Sequence, residues 1–295
     1  MSTFLRGLGT VPGPRRATTR GRPFFATFVL SLLFVSAFAC SNKQSPTPAG
    51  ATVSHVHALA TNPSDGSLLA ATHRGVFRIE DGKGTLVGNG RQDTMGFAVR
   101  GPDSFYASGH PEPGADSFGH LGLIATDDGA KTWTTLSLEG QADFHSLAPT
   151  KSGLYGYNSL SSTLMHSSDG KAWTELFQGA ITDLAADPND PDHLLLTTET
   201  GVQDYQRGSR PTPIAGTSGI ALAEWADRRT VVGLSVNGNV LVSTDTGRNW
   251  SSAGHVEGGI EALGTSAKGW QVATAKGIFE STDKGITWHR ILNHP

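Results

Sequence analysis

An all-β fold, a six-bladed β-propeller of four-stranded antiparallel blades, is what the sequence predicts, and three observations predict it. A segment of the form S/T-x-D-x-G-x-x-W recurs four times, twice without a departure. A short apolar run ending in a small residue returns about every 40 residues, the length of one four-stranded blade. Glycine is abundant, at 37 of 295 residues against a usual share of about 7 %, which suits many tight turns. No helical periodicity of useful length follows the first forty residues.

The recurrent segments are "TDDGAKTW" (126–133), "SSDGKAW" (167–173), "STDTGRNW" (243–250) and "STDKGITW" (281–288). The first carries Ala130 at the glycine position and the second is one residue short. Each has a mechanical reading. The aspartate accepts backbone N–H bonds and closes a turn, the glycine supplies a left-handed conformation, and the tryptophan packs between neighbouring sheets. The pattern resembles the Asp-box, or BNR, repeat of β-propellers of the sialidase, sortilin and photosystem-assembly-factor type. That resemblance implies a turn between the third and fourth strands of a blade, at the periphery and away from the ligand face. Asp128, Asp169, Asp245 and Asp283 are therefore read as structural.

The blade count comes from a second repeat. "VHALA", "MGFAV", "FHSLA", "ITDLA", "IALA" and "IEALG" stand at corresponding places, each followed by a loop and a small apolar strand such as "LLAAT", "SFYAS" or "HLLLTT". Six blades are expected, starting near residues 53, 93, 140, 179, 217 and 257. Blades one and four carry no recognisable Asp-box.

Residues 1–39 read as a signal peptide. Five arginines and no acid precede the apolar run "PFFATFVLSLLFVSAFAC", which is too short for a comfortable membrane span and ends at Ala37, Ala39 and Cys40. Cys40 is the single cysteine of the chain, and a lone cysteine after such a run looks like a bacterial lipoprotein signal whose thiol takes a lipid. Residues 40–52 then read as a flexible tether and 53–295 as the propeller. The expectation is an extracytoplasmic cell-envelope lipoprotein, monomeric, held to a membrane through its N-terminal lipid. The chain has 23 basic and 26 acidic residues, and the five leader arginines leave the remainder at a net charge of −8. With no basic cluster there, nucleic acid and anionic membrane surfaces are poor partners. Without a second cysteine no disulfide framework exists, so core burial alone must hold about 245 residues together.

In a propeller the first strand of every blade lines the axis. Its N-terminal end and the turn between strands two and three open on one face. His55 and His57 enter the innermost strand of blade one, and His145 occupies the position in blade three equivalent to His57. His73 sits on the second turn of blade one, and His110 opens the corresponding long loop of blade two, which also holds His120. Neutral imidazoles are the usual ligands of zinc, copper and nickel, so His55, His57, His73, His110 and His145 form a candidate site for a divalent transition metal, Zn or Cu. Asp93, Asp143 and Met95 lie near enough in sequence to complete or orient it. His55 and His57 are two apart, so both reach one point only if the strand end frays or bends.

A sialidase needs three arginines, a tyrosine nucleophile with its glutamate, and an acid. The nearest match to the F/Y-R-I-P motif is "FRIE" (77–80), on a third strand, with Glu80 in place of proline, and Arg74 and Arg91 are only loose candidates for the arginine cluster. The chain as a whole resembles actinobacterial-type lipoproteins labelled "glycosylhydrolase", through "HVHAL", "ATHRGVFR", "MGFAVRGPDSFYASGHP" and "DFHSL". Fold does not establish activity. Three readings follow: a ligand-binding propeller working through a His-rich metal site; a glycoside hydrolase using Asp93, Asp143, Asp183, Glu199 or Glu261 at the same mouth; and a protein-binding or assembly propeller without a small ligand.

Overall fold

A computed structural model describes residues 52–115 and 119–293. The segment expected to be a signal peptide, Cys40 and nearly all of the expected tether lie outside the described residues. Blade one consists of β1 (Val56–Thr61), β2 (Leu68–Thr72), β3 (Gly75–Glu80) and β4 (Lys83–Leu86), paired in that order. Five further four-stranded antiparallel sheets follow: β5 to β8 over residues 93–137, β9 to β12 over 144–178, β13 to β16 over 183–213, β17 to β20 over 220–255, and β21 to β24 over 260–293. The six-bladed propeller expected from the repeats is the fold observed, and the described residues contain no helix. The innermost strands are β1, β5 (Asp93–Gly101), β9 (Phe144–Thr150), β13 (Asp183–Ala186), β17 (Ile220–Trp225) and β21 (Ile260–Ser266). Each packs beside the next, and β21 packs beside β1 to close the ring.

The four repeat turns join strands three and four of blades two, three, five and six. Asp283 accepts the Thr287 backbone N–H at 2.9 Å, and Asp245 accepts that of Asn249 at 2.9 Å. The preceding serine hydroxyls, Ser281 and Ser243, receive the Gly285 and Gly247 N–H groups at 2.8 and 2.9 Å. These bonds hold the turn carboxyls down, Asp128, Asp245 and Asp283 to about 2, because each hydrogen bond favours the charged form. Ala130 takes the glycine's place with φ at 71° and lies buried. Its methyl group joins the core between blades one and two, beside Phe97 and Trp133. The tryptophans all play that part. Trp173 stacks on Phe144, ring centroids 4.6 Å apart, and Trp250 and Trp288 pack into the clusters between blades four and five and between five and six.

Blades one and four close differently. In blade one Glu80 pairs with Lys83 around Asp81 and Gly82, both at positive φ, the two-residue hairpin that an Asp-Gly sequence favours. In blade four the outer strand shrinks to Thr212–Pro213.

The ring closes by packing. Among the described residues all four strands of each blade are consecutive in the chain, so none of them passes from one end to complete a blade at the other. Val56, Leu59 and Phe77 of blade one meet Ala262, Ala273, Ile278 and Leu292 of blade six in one apolar cluster. Fully burying a side chain of the size of Phe77 or Ile278 contributes about 1.5–3 kcal/mol. Gly264 permits the approach: a Cβ there would stand 2.9 Å from that of Leu59.

Candidate metal centre

A repeated irregularity builds the site. The ladder between β1 and β2 shifts between Val56 and Ala58, leaving His57 as an extra residue. The same shift recurs between Thr94 and Gly96 in β5, Phe144 and Ser146 in β9, Ile220 and Leu222 in β17, and Ile260 and Ala262 in β21. The bulged residues are thus His57, Met95, His145, Ala221 and Glu261. A bulge breaks the two-residue alternation and re-aims the side chain it carries, which is the bend that the His55–His57 pair required.

His57 Nε2, His73 Nδ1 and Asp93 Oδ1 form the tightest group. The two nitrogens are 3.1 Å apart, and the carboxylate oxygen lies 3.2 Å from His57 and 2.9 Å from His73. His57 comes from its bulge, His73 from the turn after β2, and Asp93 from the first residue of β5. Donors bound at about 2.0–2.1 Å stand about 2.9 Å apart at octahedral angles and about 3.3–3.4 Å at tetrahedral ones. The observed spacings fall in that interval. Burial, with the neighbouring His73 ring, pushes the His57 imidazolium down to about 4 against the opposing pull of Asp93. At neutral pH His57 therefore carries a free lone pair, the form that binds metals.

His110 extends the network to blade three. Its Nδ1 is 3.3 Å from Asp93 Oδ2, and its Nε2 is 3.4 Å from Asp143 Oδ2. Asp143 is 3 % exposed. Burial pushes its carboxyl up, but the His145 Nε2 contact at 2.9 Å, the charges of His145 and His110, and the Ser159 hydroxyl at 3.1 Å more than offset this and lower it. Gly109 holds the corner between the blade-two strands, at φ 140°; a Cβ there would fall 2.0 Å from the Asp93 carbonyl oxygen.

The structure thus divides the five histidines. His57 and His73 share Asp93, His110 stands between Asp93 and Asp143, and His145 bonds Asp143. His55 turns toward blade six, where its Nδ1 is 3.0 Å from Glu261 Oε1, although its ring stays 4.9 Å from that of His57. Among the described residues two groups could hold a metal ion: His57, His73 and Asp93, and His110, His120 and Asp143. His120 stood outside the ligand set expected from sequence, because the blade-two loop is far longer than the corresponding turns of the other blades and no repeat aligns that residue; its signal was sharing that loop with His110.

The remaining acids lie elsewhere or are committed. Glu261 Oε2 accepts the Val56 N–H at 3.0 Å across the closing blades. Asp183 accepts from the Ser146 hydroxyl at 3.0 Å and the Leu184 N–H at 2.9 Å. Glu199 lines a separate groove with Phe177 and Arg210. Arg91 donates to the Gly90 carbonyl beside it.

No protein-family model matches the chain, and no curated protein does. Solved structures do match in shape. A GH74 enzyme of Niastella koreensis superposes with a TM-score of 0.55 at 16 % identity, over 81 % of this chain and 37 % of that one. YCF48 bound to a D1 peptide gives 0.50 at 14 %, over 81 % and 82 %. A nidogen/laminin complex gives 0.57 at 12 %, over 76 % and 93 %. The chain spans little more than a third of the GH74 enzyme's length. Such identities show the β-propeller fold alone.

Proposed function

We propose that this protein is a ligand-binding propeller whose mouth works through a divalent transition metal, zinc or copper, held by His57, His73 and Asp93. The observation that carries the reading is the mutual spacing of those three donors, 2.9–3.2 Å from three different segments of two blades. Two imidazoles and a carboxylate leave coordination positions free for a ligand or a water. Beside the group His110 stands between Asp93 and Asp143, and His145 bonds Asp143 in turn. In this reading the propeller is a cell-envelope lipoprotein of the Asp-box type, anchored through Cys40, monomeric, and its ligand reaches the mouth from the extracytoplasmic side.

A glycoside hydrolase would need a pair of carboxyl groups free to take the acid and base or nucleophile roles. Asp93, Asp143 and Glu261 are instead each engaged by an imidazole, which favours metal binding over hydrolysis by that pair. The test is metal content. Protein purified without an affinity tag and loaded with Zn2+ or Cu2+ should retain metal through dialysis against metal-free buffer, and a His57→Ala, His145→Ala double substitution should bind it at least about tenfold more weakly. Wild-type protein that retains neither metal would refute the reading and leave a protein-binding propeller as the better one.

A further inference from the structure

His110, His120 and Asp143 each offer one ligand atom, and those atoms lie within 4.8 Å of one another. Two of these side chains carry atoms with nothing to bind. Asp143 Oδ1, on a residue 3 % exposed, has no hydrogen-bond partner, and neither does the buried His120 Nδ1. Buried polar atoms are nearly always paired. A carboxylate oxygen can only accept, so whatever completes Asp143 must be a donor or a cation.

The group is also held in place. The His120 carbonyl accepts the Gly140 N–H at 2.8 Å, and the Leu121 N–H donates to the Gly109 carbonyl at 2.8 Å. His120 is thereby fixed both to the approach of blade three and to the strand end that carries His110. The His110 ring then lies between two carboxylates, with Nδ1 3.3 Å from Asp93 Oδ2 and Nε2 3.4 Å from Asp143 Oδ2.

We infer that the mouth takes two first-row transition-metal ions, the second held by His110 Nε2, His120 and Asp143. Resting on the reading of His57, His73 and Asp93 as the first position, the inference gives Asp93 a part in both. Its Oδ1 binds the first ion, and its Oδ2 accepts the His110 Nδ1 proton, which fixes the tautomer that leaves Nε2 free for the second. A carboxylate–histidine–metal relay of this kind orients the ring and raises its basicity. Loading the first position withdraws electron density from Asp93, weakens its hold on the His110 proton, and so lowers affinity at the second. The two ions are expected to bind in sequence rather than together.

The test uses the whole protein with Zn2+ and, separately, Cu2+ as probes, dialysed against metal-free buffer and measured by elemental analysis. Two ions per chain are expected, one in His120→Ala, one in His73→Ala, and none when both are replaced. His120→Gln, which keeps a polar side chain of similar reach, serves if the alanine variant fails to fold, with circular dichroism as the check. Electron paramagnetic resonance of the Cu2+ form should show one signal filling before a second, and only the first surviving in the His120 variant. One ion in the wild type, untouched by His120 replacement but lost from His73→Ala, overturns the second position and leaves the first standing. Two ions lowered by His120→Ala but not by His73→Ala uphold the second and refute the first. Two ions lowered by neither variant, or none at all, overturn both.

Discussion

Replacing Glu224 with glutamine should flatten the dependence of stability on pH. Glu224 lies on the inner strand β17 and lines the axial cavity of about 370 Å3 together with Leu59, Phe97, Leu147 and Leu184. Burial first, and then the charge of Asp183, push its carboxyl up to about 8 from an ordinary 4.5. Asp183 is itself pushed up by burial, to about 6, against the hydrogen bonds it accepts from Leu184, Ser146 and Ala223. Between 4.5 and 8 the folded state holds a proton on Glu224 that the unfolded chain has released. The stabilisation is thus complete below pH 4.5 and is lost as pH rises toward 8. At about 1.4 kcal/mol per pH unit the full interval amounts to about 5 kcal/mol. The carboxyl keeps some contact with the cavity, and water there reduces the figure to about 2–3 kcal/mol. Glutamine keeps the shape and the hydrogen-bonding capacity but cannot titrate. Urea midpoints at pH 5, 6.5 and 8 and fixed ionic strength, for wild type and Glu224→Gln, measure the effect. The wild type should lose stability relative to the variant from pH 5 to 8, and two curves that stay parallel would refute the buried-acid argument.

Gly109→Ala should cost more than about 2 kcal/mol of stability, since a Cβ there meets the Asp93 carbonyl oxygen at 2.0 Å; thermal unfolding reads the loss, and an unchanged midpoint would show that the blade-two corner tolerates a shift. The same variant should bind Zn2+ more weakly than wild type, because Asp93 must move with its backbone. Cys40→Ser should transfer the protein from the membrane fraction to the medium, and unchanged fractionation would remove lipid anchoring through that residue.

The propeller was legible because its information is repeated. Four turns with the same aspartate and tryptophan, and six apolar runs about 40 residues apart, fix blade number and blade boundaries without any long-range contact being known. The same alignment placed His57 and His145 at equivalent positions, and the structure puts both on bulges. The bulges themselves were not legible. They are register shifts between strands, and no single residue type marks them, since histidine, methionine, alanine and glutamate all occupy that place. Asp93 was visible as a neighbour but not as the hub, because its role depends on both carboxylate oxygens facing different blades. His55 was read with His57 from their spacing, and only the closing of the ring brings Glu261 near enough to draw it away.

Among the described residues blades one and six share no strand, and this has a consequence for how the ring behaves. Five of its six joints are crossed by the polypeptide, and the sixth is a seam held by packing and by the Val56 N–H bond to Glu261. Such a ring can be assembled in sequence, each sheet complete before the next, with closure the single event that joins distant parts of the chain. The seam runs into the mouth, where Glu261 grips both the Val56 N–H and His55, one residue from His57. Occupancy of the mouth and fastening of the seam therefore act on the same few residues of β1. Whatever steadies His57 and its neighbours on β1 also steadies the latch, so the geometry of the mouth and the closure of the ring are set by the same short stretch of chain.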